Sequence, residues 1–218
     1  MFTAIRAIID FILHIDQHLN FFVSEYGSLT YAILFFIIFI ETGIVIMPFL
    51  PGDSMIFAAG ALAANPENTF NIFLMRGLVA LAAIFGDTVN YEIGNFLGKK
   101  AFTKYPRIFK PKYLEKTESF YEKYGPMTII YARFVPIVRT FAPFIAGVGK
   151  MTYKKFISYN LIGGLVWTTL FTRAGYFFGG VPFVQKNFTV VILGIIFISI
   201  VPVAIGGIKE LLKKKISS

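Results

Sequence analysis

Apolar positions along this chain fall into long runs, separated by short polar or basic stretches. Over 1–28, Ile5, Ile8, Ile9, Ile12, Leu13, Ile15 and Leu19 recur near helical spacing among Asp10, His14, Asp16, Gln17 and His18. That pattern predicts an amphipathic helix lying in a membrane interface, ended by Tyr26-Gly27. Segment 29–64 opens with an apolar run to Leu50 that holds one charge, Glu41. Pro48-Phe49-Leu50-Pro51-Gly52-Asp53-Ser54 cannot continue a helix, and 55–64 is too short to cross a bilayer. The segment therefore predicts a broken, re-entrant hairpin with Asp53 at the break. Residues 71–97 predict a full span rich in small residues, with Gly94 and Gly98 at the spacing of close helix contact. Asp87 and Asn90 share one face of that span, placed to hold a proton or to bond the free backbone of a neighbouring broken helix.

Residues 99–124 carry eight Lys and Arg, with Tyr113, Leu114, Phe120 and Tyr121 giving an apolar side. They predict a basic interfacial helix ended by Tyr124-Gly125. Residues 126–149 have the length of a span, yet they hold Arg133, Arg139 and three prolines, and both flanks are basic. Loops rich in Lys and Arg stay on the cytoplasmic side, so this segment enters the membrane and returns to the same side. It predicts a second re-entrant hairpin, broken near Pro136. Segments 156–178 and 187–208 predict two further spans, and Lys209, Lys213, Lys214 and Lys215 mark a cytoplasmic C-terminus.

The order repeats. Each half runs interfacial helix, Tyr-Gly stop, broken hairpin, full span. Glu25-Tyr26-Gly27 resembles Lys123-Tyr124-Gly125, Phe49-Leu50-Pro51 resembles Phe134-Val135-Pro136, and Ala59-Gly60 resembles Ala146-Gly147. The first interfacial helix is net negative and the second strongly basic, which predicts an inverted repeat whose hairpin tips meet mid-membrane.

Composition agrees with this class. The chain has 218 residues, 56% of them hydrophobic, and a mean hydropathy of +0.68. A soluble domain is rarely so apolar, so the prediction is one all-α polytopic membrane domain. No signal peptide is evident, since Asp10, Asp16 and Glu25 interrupt the N-terminal residues. Net charge is +9, but it gathers in a few loops. That distribution fits topology signals and anionic lipid headgroups, and argues against nucleic acid as a partner. The absence of cysteine excludes disulfides and thiolate metal sites. His14 and His18 stand four apart, but without a third ligand they predict no metal site and no cofactor. Self-association into a homo-oligomer is left open.

Candidate chemistry follows from the intramembrane charges. If the tips meet, Glu41 and Asp53 of one hairpin face Arg133 and Arg139 of the other. The four either neutralise one another and hold the fold, or form a site. Guanidinium forks bind phosphate bidentately, and a neighbouring acid can exchange protons, so Arg133 and Arg139 are candidates for substrate binding and Glu41 and Asp53 for coupling to a proton gradient. Asp87 is a secondary candidate. Arg173, near Tyr176, is read as snorkelling. Ser54 beside Asp53 lacks a histidine, and no nucleophile–base–orienter set exists, so an enzyme is not expected.

Taken in order, Glu41, Pro51-Gly52-Asp53-Ser54, Gly86-Asp87 with Tyr91 and Gly94, Arg133-Phe134-x-Pro136-x-x-Arg139, Gly147, and Asn160-x-x-Gly163-x-x-x-Trp167 resemble the DedA family of bacterial inner-membrane proteins. That family shares its domain with eukaryotic lipid scramblases of the VTT group. The resemblance implies two facing re-entrant hairpins, dependence on proton-motive force and a part in membrane homeostasis. For some members it implies flipping of undecaprenyl phosphate or phospholipid. It maps the family's essential acids and arginines onto Glu41, Asp53, Arg133 and Arg139, and gives Arg173 no role. The expectation is a proton-linked flippase of a lipid phosphate. The competing expectations are a proton-coupled exporter of small cations or drugs and a non-transporting structural protein.

Overall fold

A computed structural model describes residues 15–44, 52–64, 70–98, 100, 111–191 and 193–195. All regular structure among them is helical. The helices are α1 (Ile15–Tyr26), α2 (Leu29–Gly43), α3 (Gly52–Ala63), α4 (Ile72–Leu97), α5 (Pro111–Tyr124), α6 (Thr128–Ala132), α7 (Pro136–Val148), α8 (Tyr153–Gly179) and α9 (Pro182–Lys186). His14, the first proline-rich break, most of 99–110 and the tail beyond 195 lie outside the described residues.

Local chemistry sets the helix ends. Gly27 and Gly125, the two Tyr-Gly stops, both take a left-handed conformation, with φ of 51° and 55°. A side chain is disfavoured there, which is why the repeated dipeptide ends a helix in each half. At the start of α4, the Asn71 side chain accepts the amides of Phe73 and Leu74. The helical run of 128–148 breaks where the sequence predicts: Val135 is extended and Pro136 opens α7. The amides of Arg133, Phe134 and Val135 each bond three residues back, so the broken backbone is not left bare.

The packing exchanges consistently between halves. In the first half α2 packs on α4, and in the second α6 packs on α8. The second limbs cross over: α3 packs on α8 and α7 on α4. The interfacial helices follow suit, α1 against α3 and α5 against α7. This is the pattern a repeat requires. Glycines set both crossover contacts. A Cβ at Gly94 or Gly147 would run into the opposing backbone of α7 or α4, and one at Gly60 or Gly175 into that of α8 or α3. Gly60 and Gly147 are the residues that the Ala-Gly match pairs between halves.

The long helices bury polar residues and turn apolar ones outward. Along α4, Phe73, Leu81, Phe85, Val89 and Phe96 are exposed, whereas Asp87 and Asn90 are buried. Leu161, Leu165 and Phe177 are exposed on α8, around buried Asn160, Thr168 and Thr172. Apolar surface on this scale suits lipid. Among the described residues α4 alone is both long and apolar enough to cross a bilayer. α8, a second predicted span, is one residue longer, but Asn160, Thr168, Thr172 and Arg173 make it more polar. Arg173 lies exposed on its surface, apart from the buried charges.

Candidate functional site: two ion-pair centres around Trp167

Five buried or nearly buried charges gather where the broken elements meet α4 and α8. Arg139, on the first turn of α7, sits 2.9 Å from Asp53 at the N-terminus of α3 and 3.4 Å from Glu41 near the C-terminus of α2. Charges of the two broken elements meet at this centre. Gly52, the first residue of α3, lies so close to the Glu41 carboxylate that a Cβ there would overlap it. Its backbone amide faces that carboxylate, which therefore sits at the favourable end of a helix dipole.

Arg133 departs from the expectation. Its carboxylate partner is Asp87 of α4, at 2.5 Å, with side-chain exposures of 2% and 5%. The same nitrogen, Nη2, donates to Asn160 Oδ1 of α8. Asn160 in turn donates to the Ile84 carbonyl of α4. Arg133 follows the end of α6, which packs on α8, and Gly163 and Gly164 leave room for its side chain against that helix. Asp87 is thus a full member of the buried charge set.

Trp167 of α8, fully buried, joins the two centres. Its indole N–H donates to Asp53 Oδ1 at 2.9 Å, the oxygen that Arg139 also bonds. The Arg139 guanidinium lies 4.3 Å from the ring centre and that of Arg133 5.9 Å. Both distances are within cation–π reach. In the sequence Trp167 is only the end of the Asn160-Gly163-Trp167 pattern. Its signal is that the chain has one tryptophan and places it on a polar helix face.

The polar groups of the broken helices are served from α4 and α5. Asn90 donates to the carbonyls of Thr42, at the end of α2, and of Thr140, in α7. This is the backbone-bonding role open to it from the sequence. Near Pro143, which removes a donor from the α7 ladder, Tyr121 of α5 donates to the Ala142 carbonyl at 2.9 Å. Burial raises the Tyr121 phenol pKa, so the donor stays protonated. Asn90→Ala is expected to lose about 2 kcal/mol, as two buried bonds go. Thermal unfolding in detergent measures it, and an unchanged midpoint would contradict the assignment.

As chemistry, the site sets three carboxylates against two guanidiniums. Arg133 Nε and Nη1 are buried and have no hydrogen-bond partner among the described residues, and Arg139 Nη2 has only its 3.4 Å ion pair with Glu41. No cluster of three metal-ligating side chains occurs among those residues.

Comparison with known proteins agrees with this architecture. Residues 27–177 match the VTT domain. The chain is 56% identical over 209 residues to Protein DedA of Escherichia coli, covering 95% of this chain and 94% of that one. It is 44% identical over 183 residues to an uncharacterized membrane protein of Mycobacterium tuberculosis, covering 84% and 80%. It is 30% identical over 195 residues to the inner membrane protein YghB of Salmonella typhimurium, covering 86% and 87%. No solved structure matches the chain. The matched domain spans both broken elements, α4 and most of α8, and therefore all five buried charges, so the chain is a membrane protein of the DedA family, built on a VTT domain.

Proposed function

We propose that this protein is an inner-membrane flippase of a lipid phosphate, coupled to protons, in the service of membrane homeostasis. Arg133 and Arg139 hold the phosphate, and Glu41 and Asp53 exchange protons. The observation that carries the reading is that the buried guanidinium of Arg133 has two N–H-bearing nitrogens without acceptors among the described residues, in a domain whose outer surface is apolar. Buried donors are normally matched, and charged ones most strictly. A guanidinium presents its donors as a planar fork that two oxygens of a phosphate can accept together. In the cycle, protonation of an acid frees Arg139 for the phosphate, and deprotonation returns the arginine to its carboxylates and expels the lipid. The two broken elements are re-entrant hairpins from opposite faces, which brings the centre to mid-membrane, and the C-terminus is cytoplasmic.

One observation favours a second reading. Three carboxylates against two guanidiniums leave one negative charge in excess among the described residues, which suits a small cation as cargo. Competition separates the two. Transport of a fluorescent lipid phosphate in proteoliposomes should be inhibited by unlabelled polyprenyl phosphate and untouched by cationic compounds. The reverse pattern establishes the exporter. Arg133→Ala made stably and transporting at the wild-type rate would remove the phosphate role of Arg133.

A further inference from the structure

We propose that Trp167 is the positioning residue of the site: it holds Asp53 in place when Arg139 turns to the cargo. The role rests on the lipid-phosphate reading above. Asp53 Oδ1 is shared by two donors from different helices, Arg139 Nη1 and Trp167 Nε1, each at 2.9 Å. If Arg139 left a carboxylate that it alone satisfied, a buried anion would be stranded, and the arginine would be drawn back. With the indole N–H in place, Asp53 keeps a partner throughout. The ring face does the same for the cation. Arg139 at 4.3 Å and Arg133 at 5.9 Å are both attracted to the indole, so either guanidinium can shift across it without losing all compensation. Trp167 is itself fully buried on α8, packed against Phe171 in an edge-on pair, so its own ring is fixed. It touches Asp53 of the first broken element and both arginines of the second. Release of one centre is thereby felt at the other.

The chain offers a direct readout, because Trp167 is its only tryptophan. Polyprenyl phosphate added to the unmodified protein in detergent should change the position or intensity of tryptophan emission, and uncharged polyprenol should not. Trp167→Phe keeps a ring and loses the N–H. In proteoliposomes it should lower maximal flipping by about 10- to 100-fold, the factor carried by one hydrogen bond to a charged group. The lipid concentration for half-maximal rate should stay close to wild type, while the unfolding midpoint falls by the few degrees that one lost buried hydrogen bond carries. A wild-type protein that flips the lipid with unchanged emission overturns the proposal, as does a Trp167→Phe protein that flips at the wild-type rate. A wild-type protein that flips no lipid phosphate overturns the transport reading itself, and this role with it.

Discussion

Arg133→Gln is expected to lower the stability of this protein by about 3–5 kcal/mol, the cost of leaving one partner of a buried ion pair uncompensated. The substitution strands Asp87 and removes the donor to Asn160 Oδ1. At the size of this chain that is a fall of about 10 °C in the unfolding midpoint. Adding Asp87→Asn to the same chain should recover most of the loss, because a neutral pair of similar shape costs little to bury. Transport should not return with stability, since the guanidinium is gone. The pair of measurements therefore separates holding the fold from handling the cargo. A single variant as stable as wild type would mean that Arg133 and Asp87 do not form the buried pair described here. A double variant that regains transport would make the pair purely structural.

Gly147→Leu is expected to do comparable harm without touching a charge. Its Cβ would collide with the backbone of Tyr91, Gly94 and Asn95 on α4, and backbone cannot step aside as a side-chain end can. Overpacking of this kind costs about 1–3 kcal/mol and sometimes more. The functional loss should be larger than the stability loss. α7 carries Arg139, so pushing α7 off α4 draws the guanidinium from Asp53 and Glu41. Gly60→Leu should act alike from the other crossover, since α3 carries Asp53 and a Cβ at Gly60 meets the α8 backbone. Gly77→Ala is the control. Nothing lies within 4 Å of a Cβ there, and alanine suits a helix interior better, so it should be neutral or stabilising by about 0.4–1 kcal/mol. Equal activity in Gly147→Leu and Gly77→Ala would contradict the close α4–α7 contact.

Much of this architecture is legible in the residues because its determinants are local. A Tyr-Gly stop needs only a left-handed glycine, and Gly27 and Gly125 both supply one. The break before Pro136 needs only proline's missing amide and fixed φ. The cost of arginine in an apolar run singles out Arg133 and Arg139 before any coordinates exist. The pairing is different in kind. Arg139 and Asp53 are 86 positions apart, and Arg133 and Asp87 are 46 apart. Which acid meets which arginine depends on how the second limbs cross to the other half's long helix. A sequence with two arginines and three acids cannot reveal that, and Asp87 accordingly emerges as more than a secondary residue. Trp167 is hidden for a related reason. A lone tryptophan on a polar helix face marks a position, but not which elements its N–H and its ring serve.

The central claim is that the arginine centre moves a lipid phosphate under the control of protons. Flipping of a fluorescent polyprenyl phosphate in proteoliposomes, with and without a pH gradient, in wild type and in Arg139→Ala, tests it most directly. Flipping should rise with the gradient in wild type and fall to the protein-free background in the variant. Intact, folded wild-type protein that flips no lipid phosphate under either condition, or Arg139→Ala that flips as wild type does, would contradict it.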